Sequence, residues 1–199
     1  MTYLDRILDD GTVRERWQEA RWPVIGASDA AKLSKASSIP SYLRAKLSRE
    51  SFHGNSYTAS GHRWEPMMLA WAGIPQNVAL FHSPQETGFA ATPDGILRLA
   101  DDRLLLAECK AKHGRIVNGP SLPEWRQLAW QFLVFPEADE IEFLWVEVID
   151  GEMRTTEPKH LTVRRDDPKI VDLTAQILPI ATELLAQLRL ALEFERNIA

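Results

Sequence analysis

At residue 77 the sequence changes period. Ahead of it, apolar residues recur at the 3.6-residue spacing of amphipathic helices; beyond it they alternate, as in strands with one buried face. Residues 2–22 suit two short helices broken at Asp10-Gly11. Residues 23–29 turn at Gly26 into a Ser28-Asp29 pair that reads as a helix N-cap, so a loop feeds a helix N-terminus there. SYLRAKLSRE (41–50) reads as a basic helix, FHGNSY (52–57) as a loop, and SGHRWEPMMLAWAG (60–73) as a helix ending at Gly73. Pro66 belongs in the first turn of that helix or at a kink, because proline lacks the amide an interior position needs.

Strands are expected over 78–81, 87–92, 95–99, 103–110 and 141–149. Ala100-Asp101-Asp102 turns between the third and fourth as a hairpin, and Asp150-Gly151 is the strongest short hairpin signal in the chain. The loop HGRIVNGPSLP leads into an aromatic-rich helix, EWRQLAWQFLVF (124–135), closed by Pro136; residues 168–199 form an amphipathic helical stretch interrupted at Pro179. The expected fold is a single α/β (α+β) domain over 1–199, with a central mixed β-sheet flanked by helices. Its parts are a mainly helical section (1–73), the sheet with its crossing helix (77–149), and a hairpin with a closing helix (150–199).

The chemistry gathers in the sheet. Pro93-Asp94 is followed, after thirteen residues, by Glu108-Cys109-Lys110. In a strand, residues i and i+2 share a face, so Glu108 and Lys110 project together while Cys109 points the other way, and the hairpin folds Asp94 back beside them. The run Leu104-Leu105-Leu106-Ala107 before them is apolar on both faces and suggests an interior strand. Charges at the end of such a strand are costly to desolvate unless paired or bound to a metal. Two carboxylates and the carbonyl of Cys109 make half an octahedron of oxygen donors suited to Mg²⁺ or Mn²⁺. A cation there would lower the pKa of an attacking water and stabilise charge on a phosphoryl group, with Lys110 orienting or deprotonating that water. The competing reading of these three residues is the solvated face of an amphipathic strand beside an ordinary turn.

Composition narrows the classes. Cys109 is the single cysteine, which excludes a disulfide framework, a cysteine-rich zinc site and a protein-ligated iron–sulfur cluster. No apolar run approaches a membrane span, and MTYLDRILDDG does not read as a signal peptide, so a soluble, intracellular protein is expected. The net charge of −5 conceals a gradient: residues 1–64 carry 10 Lys/Arg against 7 Asp/Glu, and residues 137–199 carry 7 against 14. The global sign therefore says little about any one face. The five histidines, His53, His62, His82, His113 and His160, show no metal-ligand spacing and read as structural or surface residues.

IGASDAAKL, GHRWEP, ATPDGI, LAECKAK and QLAWQFLVF occur in that order across residues 21–149. In this the chain resembles the phage-type exonucleases of the YqaJ viral-recombinase and lambda-exonuclease family, within the PD-(D/E)xK nuclease superfamily. The resemblance implies a restriction-endonuclease-like core, two divalent cations and hydrolysis of DNA phosphodiesters. It assigns metal and water roles to Asp94, Glu108 and Lys110 and adds Glu65 as a helix-borne ligand. It places a DNA 5′ phosphate near Arg21 and Ser28. Gln127 and Gln131 share a helix face and are candidates to reach the metal site, while one usual glutamine position is Ala129; Trp125 and Trp130 read as core packing. Lys112 and Arg115, on what reads as the exit loop of the strand, are candidates to grip the DNA backbone. The implied activity is exonucleolytic, 5′ to 3′ from duplex ends. Implied context is a single-strand annealing partner, the bacterial cytoplasm and a phage or prophage origin, with a homo-oligomer left open. Two other readings stand beside it: an endonuclease on the same core, and a non-catalytic nuclease-fold regulator that binds DNA or a host protein.

Overall fold

A computed structural model describes residues 2–48 and 56–198, with side chains described over 63–197 in the second stretch. The N-terminal section opens with a 3-10 turn (Tyr3–Arg6), a short strand β1 (Ile7–Asp9) and helix α1 (Arg14–Arg21). A single helical turn α2 (Ala27–Ala30), α3 (Ile39–Leu47) and α4 (Ser56–Ala72) follow. The sheet region comprises β2 (Leu80–His82), β3 (Ala90–Ala91), β4 (Gly95–Arg98), β5 (Leu104–His113), the crossing helix α5 (Leu122–Val134), β6 (Ala138–Ile149), β7 (Glu152–Met153) and β8 (Lys159–Arg164). Helix α6 (Pro168–Ile198) closes the chain.

The central mixed sheet runs β4-β5-β6, with β7 and β8 both on the far edge of β6. β5 and β6 are parallel over ten registered pairs, and the other pairings are antiparallel. Parallel neighbours need a crossover, and α5 is that crossover. A second, three-stranded sheet is ordered β1-β2-β3. One face of the central sheet packs through Leu104, Leu106, Ile141 and Phe143 against α5 and α6. The other packs through Ala107, Cys109, Leu144 and Val146 against Met68 and Leu69 of α4. The stripe Ile170, Leu173, Ile177, Ala181, Leu184, Leu188 shows why α6 buries one face: its spacing is helical throughout. The far end of α5 is held by arginines. Arg165 donates to the Phe132 carbonyl at 2.9 Å and the Phe135 carbonyl at 2.6 Å, and the buried Arg6 donates to the Val134 carbonyl at 2.7 Å.

Several expectations are corrected. Residues 7–9 are a strand rather than part of a helix, since Ile7 pairs with Phe81 and Asp9 with Leu80. The strand expected over 87–92 shrinks to two residues, and the helix expected after Asp29 to one turn. Pro66 lies well inside α4 and Pro179 inside α6, so neither begins nor interrupts its helix. Both prolines are exposed, where the carbonyl each leaves unpaired can turn to water. β5 continues past Lys110 to His113, and β8 was not foreseen. Residues 52–55 of the expected loop and 49–50 of the basic helix lie outside the described residues, as does the side chain of His62; Ser56 and Tyr57 are already helical.

Candidate active site

β4 pairs with β5 only as far as Ala107. Beyond that point β5 has no strand on that side, and the Cys109 N–H donates instead to Asp94 Oδ2 at 2.7 Å. Asp94 is thereby fixed at the entry to β4, its own N–H donating to the Ala107 carbonyl at 3.0 Å. Asn77 shapes the turn in front of it. Its N–H donates to the Asp94 carbonyl at 2.8 Å and its Nδ2 to the Pro93 carbonyl at 2.8 Å. Gly95 is required by proximity: a Cβ there would lie 2.7 Å from Leu69 Cδ2 and 2.8 Å from Ile74 Cγ2. Glycine here lets Leu69 of α4, the helix that carries Glu65, pack against β4 without a shift of those side chains. Gln76 Nε2 donates to Glu65 Oε1 at 2.9 Å.

Glu108 is 1% exposed. Its Oε1 accepts from Gln127 Nε2 at 2.6 Å and from Lys110 Nζ, and its Oε2 accepts from Gln131 Nε2. The two glutamines sit one turn apart and share a face of α5. Ala129, between them, is fully buried in the apolar core on the opposite side of the helix, away from Glu108. Gln131 Oε1 is buried without a hydrogen-bond partner. Trp130 is wholly buried, donating from Nε1 to the Ala90 carbonyl at 3.0 Å, and Trp125 packs beside the core, as expected of a packing stripe.

The site is acidic. Burial, then the neighbouring charges of Glu108 and Glu65, push the Asp94 carboxyl well above the usual aspartate range, with Lys110 opposing. Burial works against the Lys110 ammonium, but Glu108 and Asp94 outweigh it and hold Lys110 above the ordinary lysine range. The Cys109 thiol points to the α4 side, and burial followed by the adjacent carboxylates pushes its pKa up, so it stays protonated. Among the described residues, no three His, Cys, Asp or Glu side chains stand ready to hold an ion as they are placed, since Glu108 directs both oxygens to Lys110 and the glutamines. The donor chemistry nonetheless fits a hard divalent cation. The available atoms are oxygens, and the acidic surplus that raises Asp94 is what such a cation would relieve.

The remaining candidates divide. Arg21 Nη2 meets Ser28 Oγ, and Lys46 Nζ pairs with Asp29 Oδ2 at 2.7 Å. These residues form a separate basic group on α1, α2 and α3. Ser28 is not the N-cap expected of it: Gly26 is, and Asp29 accepts its N–H at 2.9 Å. Arg115 is exposed just past β5. Lys112 is not on an exit loop. It lies inside β5, is 3% exposed and pairs with Glu124, so it is turned away from any DNA backbone. Sequence reasoning missed Asn77, whose partners are backbone carbonyls that no motif shows, and Glu124, which reads only as a helix-start glutamate.

The mixed sheet flanked by helices thus sets an aspartate at the entry to one strand beside a Glu-x-Lys pair in the middle of the next. Solved structures of two proteins share this fold. The alkaline exonuclease LHK-Exo of Laribacter hongkongensis superposes with a TM-score of 0.64 over 93% of this chain and 100% of its own, at 20% identity; a structure of that protein in complex with dAMP matches equally. A phage related exonuclease from Haemophilus somnus 129PT gives a TM-score of 0.59 over 85% of this chain and 96% of its own, at 12% identity. The fold implied by the sequence resemblance is therefore the one observed. No protein-family model and no curated protein matches the chain. Among the described residues no helix is long and apolar enough to cross a membrane.

Proposed function

We propose that this protein is a metal-dependent DNA exonuclease of the phage recombination type, hydrolysing phosphodiester bonds from duplex ends in the 5′ to 3′ direction. The observation that carries this reading is the buried Glu108 carboxylate, held by Lys110, Gln127 and Gln131 beside an Asp94 that resists ionisation. Asp94, Glu108, Glu65 and the Cys109 carbonyl would hold one or two Mg²⁺ or Mn²⁺ ions. Such ions, when bound, supply a lowered water pKa and stabilisation of phosphoryl charge. The chain's own residues do the rest. Gln127 and Gln131 fix the plane of the Glu108 carboxylate, and Asn77 and the Cys109 N–H fix Asp94. Lys110, held in its charged form, would orient a water or a phosphoryl oxygen by hydrogen-bond donation from Nζ, and is not the base that deprotonates that water. Arg21 and Ser28, with Arg115, would receive backbone phosphates. In the cell this reading places the protein in the bacterial cytoplasm, phage- or prophage-encoded, acting on double-stranded DNA ends alongside a single-strand annealing protein.

The test is cleavage of linear and covalently closed circular duplexes with Mg²⁺, with Mn²⁺ and with EDTA. Release of nucleotides from the linear substrate alone, abolished by EDTA, is expected. Cutting of the closed circle would replace this reading by an endonuclease on the same core. No cleavage of either would leave a DNA- or protein-binding regulator.

A further inference from the structure

The polar face of β5 does not stop at Lys110. Glu108, Lys110 and Lys112 occupy alternate positions on one face of the strand, and Glu124, Gln127 and Gln131 lie three and four residues apart on one face of α5. The two rows mesh: both glutamines meet Glu108, and Glu124 meets Lys112. We propose that Lys112 and Glu124 form a positioning pair that sets the height and rotation of α5 over β5, and so aims the amides of Gln127 and Gln131 at the Glu108 carboxylate. Its kinetic consequence rests on the nuclease reading; its structural consequence does not.

Three observations support it. Lys112 is buried and Glu124 partly so, with the side chains 4% and 15% exposed, and Lys112 Nζ lies 5.5 Å from the centroid of the Phe143 ring. Apolar side chains would fill such a place without the desolvation cost of two charges, so the return on an ion pair there is geometric. Second, Glu124 divides its oxygens. Oε2 accepts from the Ser121 N–H and hydroxyl at 2.7 Å each, closing the start of α5, while Oε1 accepts from Lys112 on β5. One side chain thus ties the first turn of the helix to a single position on the strand. Third, apart from the glutamines themselves, the Trp130 indole and the arginines at its far end, α5 meets its surroundings through apolar side chains such as Leu128 and Phe132, and apolar packing tolerates small slides that a hydrogen-bonded pair near the helix start does not. A slide of about 1 Å is enough to spoil a catalytic hydrogen bond.

The test is the double variant Lys112→Met/Glu124→Gln, which removes both charges and keeps a residue able to close the helix start. Three readouts are followed: melting midpoint, the side-chain amide NMR signals of Gln127 and Gln131 in metal-free protein, and steady-state cleavage of linear duplex. The amide signals are identified by their loss in Gln127→Glu and Gln131→Glu. The expected result is a midpoint near that of the unaltered protein and amide signals moved toward those of exposed glutamine. kcat falls about 10- to 100-fold with KM within about twofold. Amides and kcat both unchanged would overturn the proposal. Amides that move in a protein that cuts no DNA would uphold the positioning pair and remove the nuclease reading. Should the double variant not fold, Glu124→Gln alone is read the same way: moved amides support the pair, and unmoved amides overturn it.

Discussion

Two glutamates are buried on neighbouring strands, on the same face of the same sheet, and their surroundings are opposite in charge. Glu147 on β6 sits opposite Lys112 in the register, and its carboxylate accepts from Lys159 Nζ at 2.8 Å, Arg154 Nη1 at 3.2 Å and the Val117 N–H at 2.9 Å. The Lys159 hydrogen bond, set against the cost of burial, holds its carboxyl below the usual glutamate range. Glu108 on β5 has one cation and two neutral amides, with Asp94 and Glu65 adding negative charge nearby. The first arrangement is complete: it ties the loop after β5 and the β7-β8 region to the sheet. The second carries a surplus of negative charge in a place poor in solvent, which stability alone does not explain. A buried carboxylate by itself marks nothing; the sign of what surrounds it separates the structural anchor from the site for which a cation is proposed.

That contrast breaks most visibly in activity. Glu108→Ala and Lys110→Ala are each expected to lower duplex cleavage by about 10³-fold or more while leaving the circular dichroism spectrum unchanged. Cleavage retained in either would dissolve the distinction between the two glutamates. The next effect is on stability. Glu147→Gln is expected to lower the melting midpoint at pH 7 by about 3–6 °C, because charge-assisted hydrogen bonds to a buried carboxylate are lost. Since the folded pKa of Glu147 is depressed, its stabilisation is present above the ordinary glutamate range and disappears as pH falls through the folded value. The midpoints of Glu147→Gln and the unaltered protein should therefore converge in acid, and a gap constant with pH would contradict the assignment. The smallest effect has the opposite sign. Asp94→Asn replaces a carboxyl whose ionisation burial and Glu108 oppose and keeps an oxygen to accept the Cys109 N–H, so the metal-free midpoint at pH 7 should rise by about 2–4 °C. A fall would mean that the acidic cluster is already balanced without a cation.

Much of this was readable in the sequence, for reasons that also explain the failures. The strand carrying Glu108 and Lys110 shows itself because four apolar residues precede a charge pair, and Gln127 and Gln131 show themselves because helical spacing puts them on one face. β1 has three residues, too few to display a period, and exists because β2 offers it an edge. β8 escapes notice because only Val163 of its six residues is buried. Prolines 66 and 179 read as breaks because a sequence does not say which side of a helix faces water. Lys112 reads as part of a DNA-gripping loop because a basic run looks solvated; the continuation of β5 to His113 and one helix-start glutamate bury it. Charge counts along a chain show where charges are, and only the fold shows which are already paired.

The central claim is that Asp94 and Glu108 share a divalent cation. The most direct measurement is anomalous difference density from a crystal soaked in Mn²⁺. The expected result is a peak between the two carboxylates, in contact with the Cys109 carbonyl and lost in Glu108→Ala. A soaked crystal with Mn²⁺ bound elsewhere and nothing between Asp94 and Glu108 would contradict it.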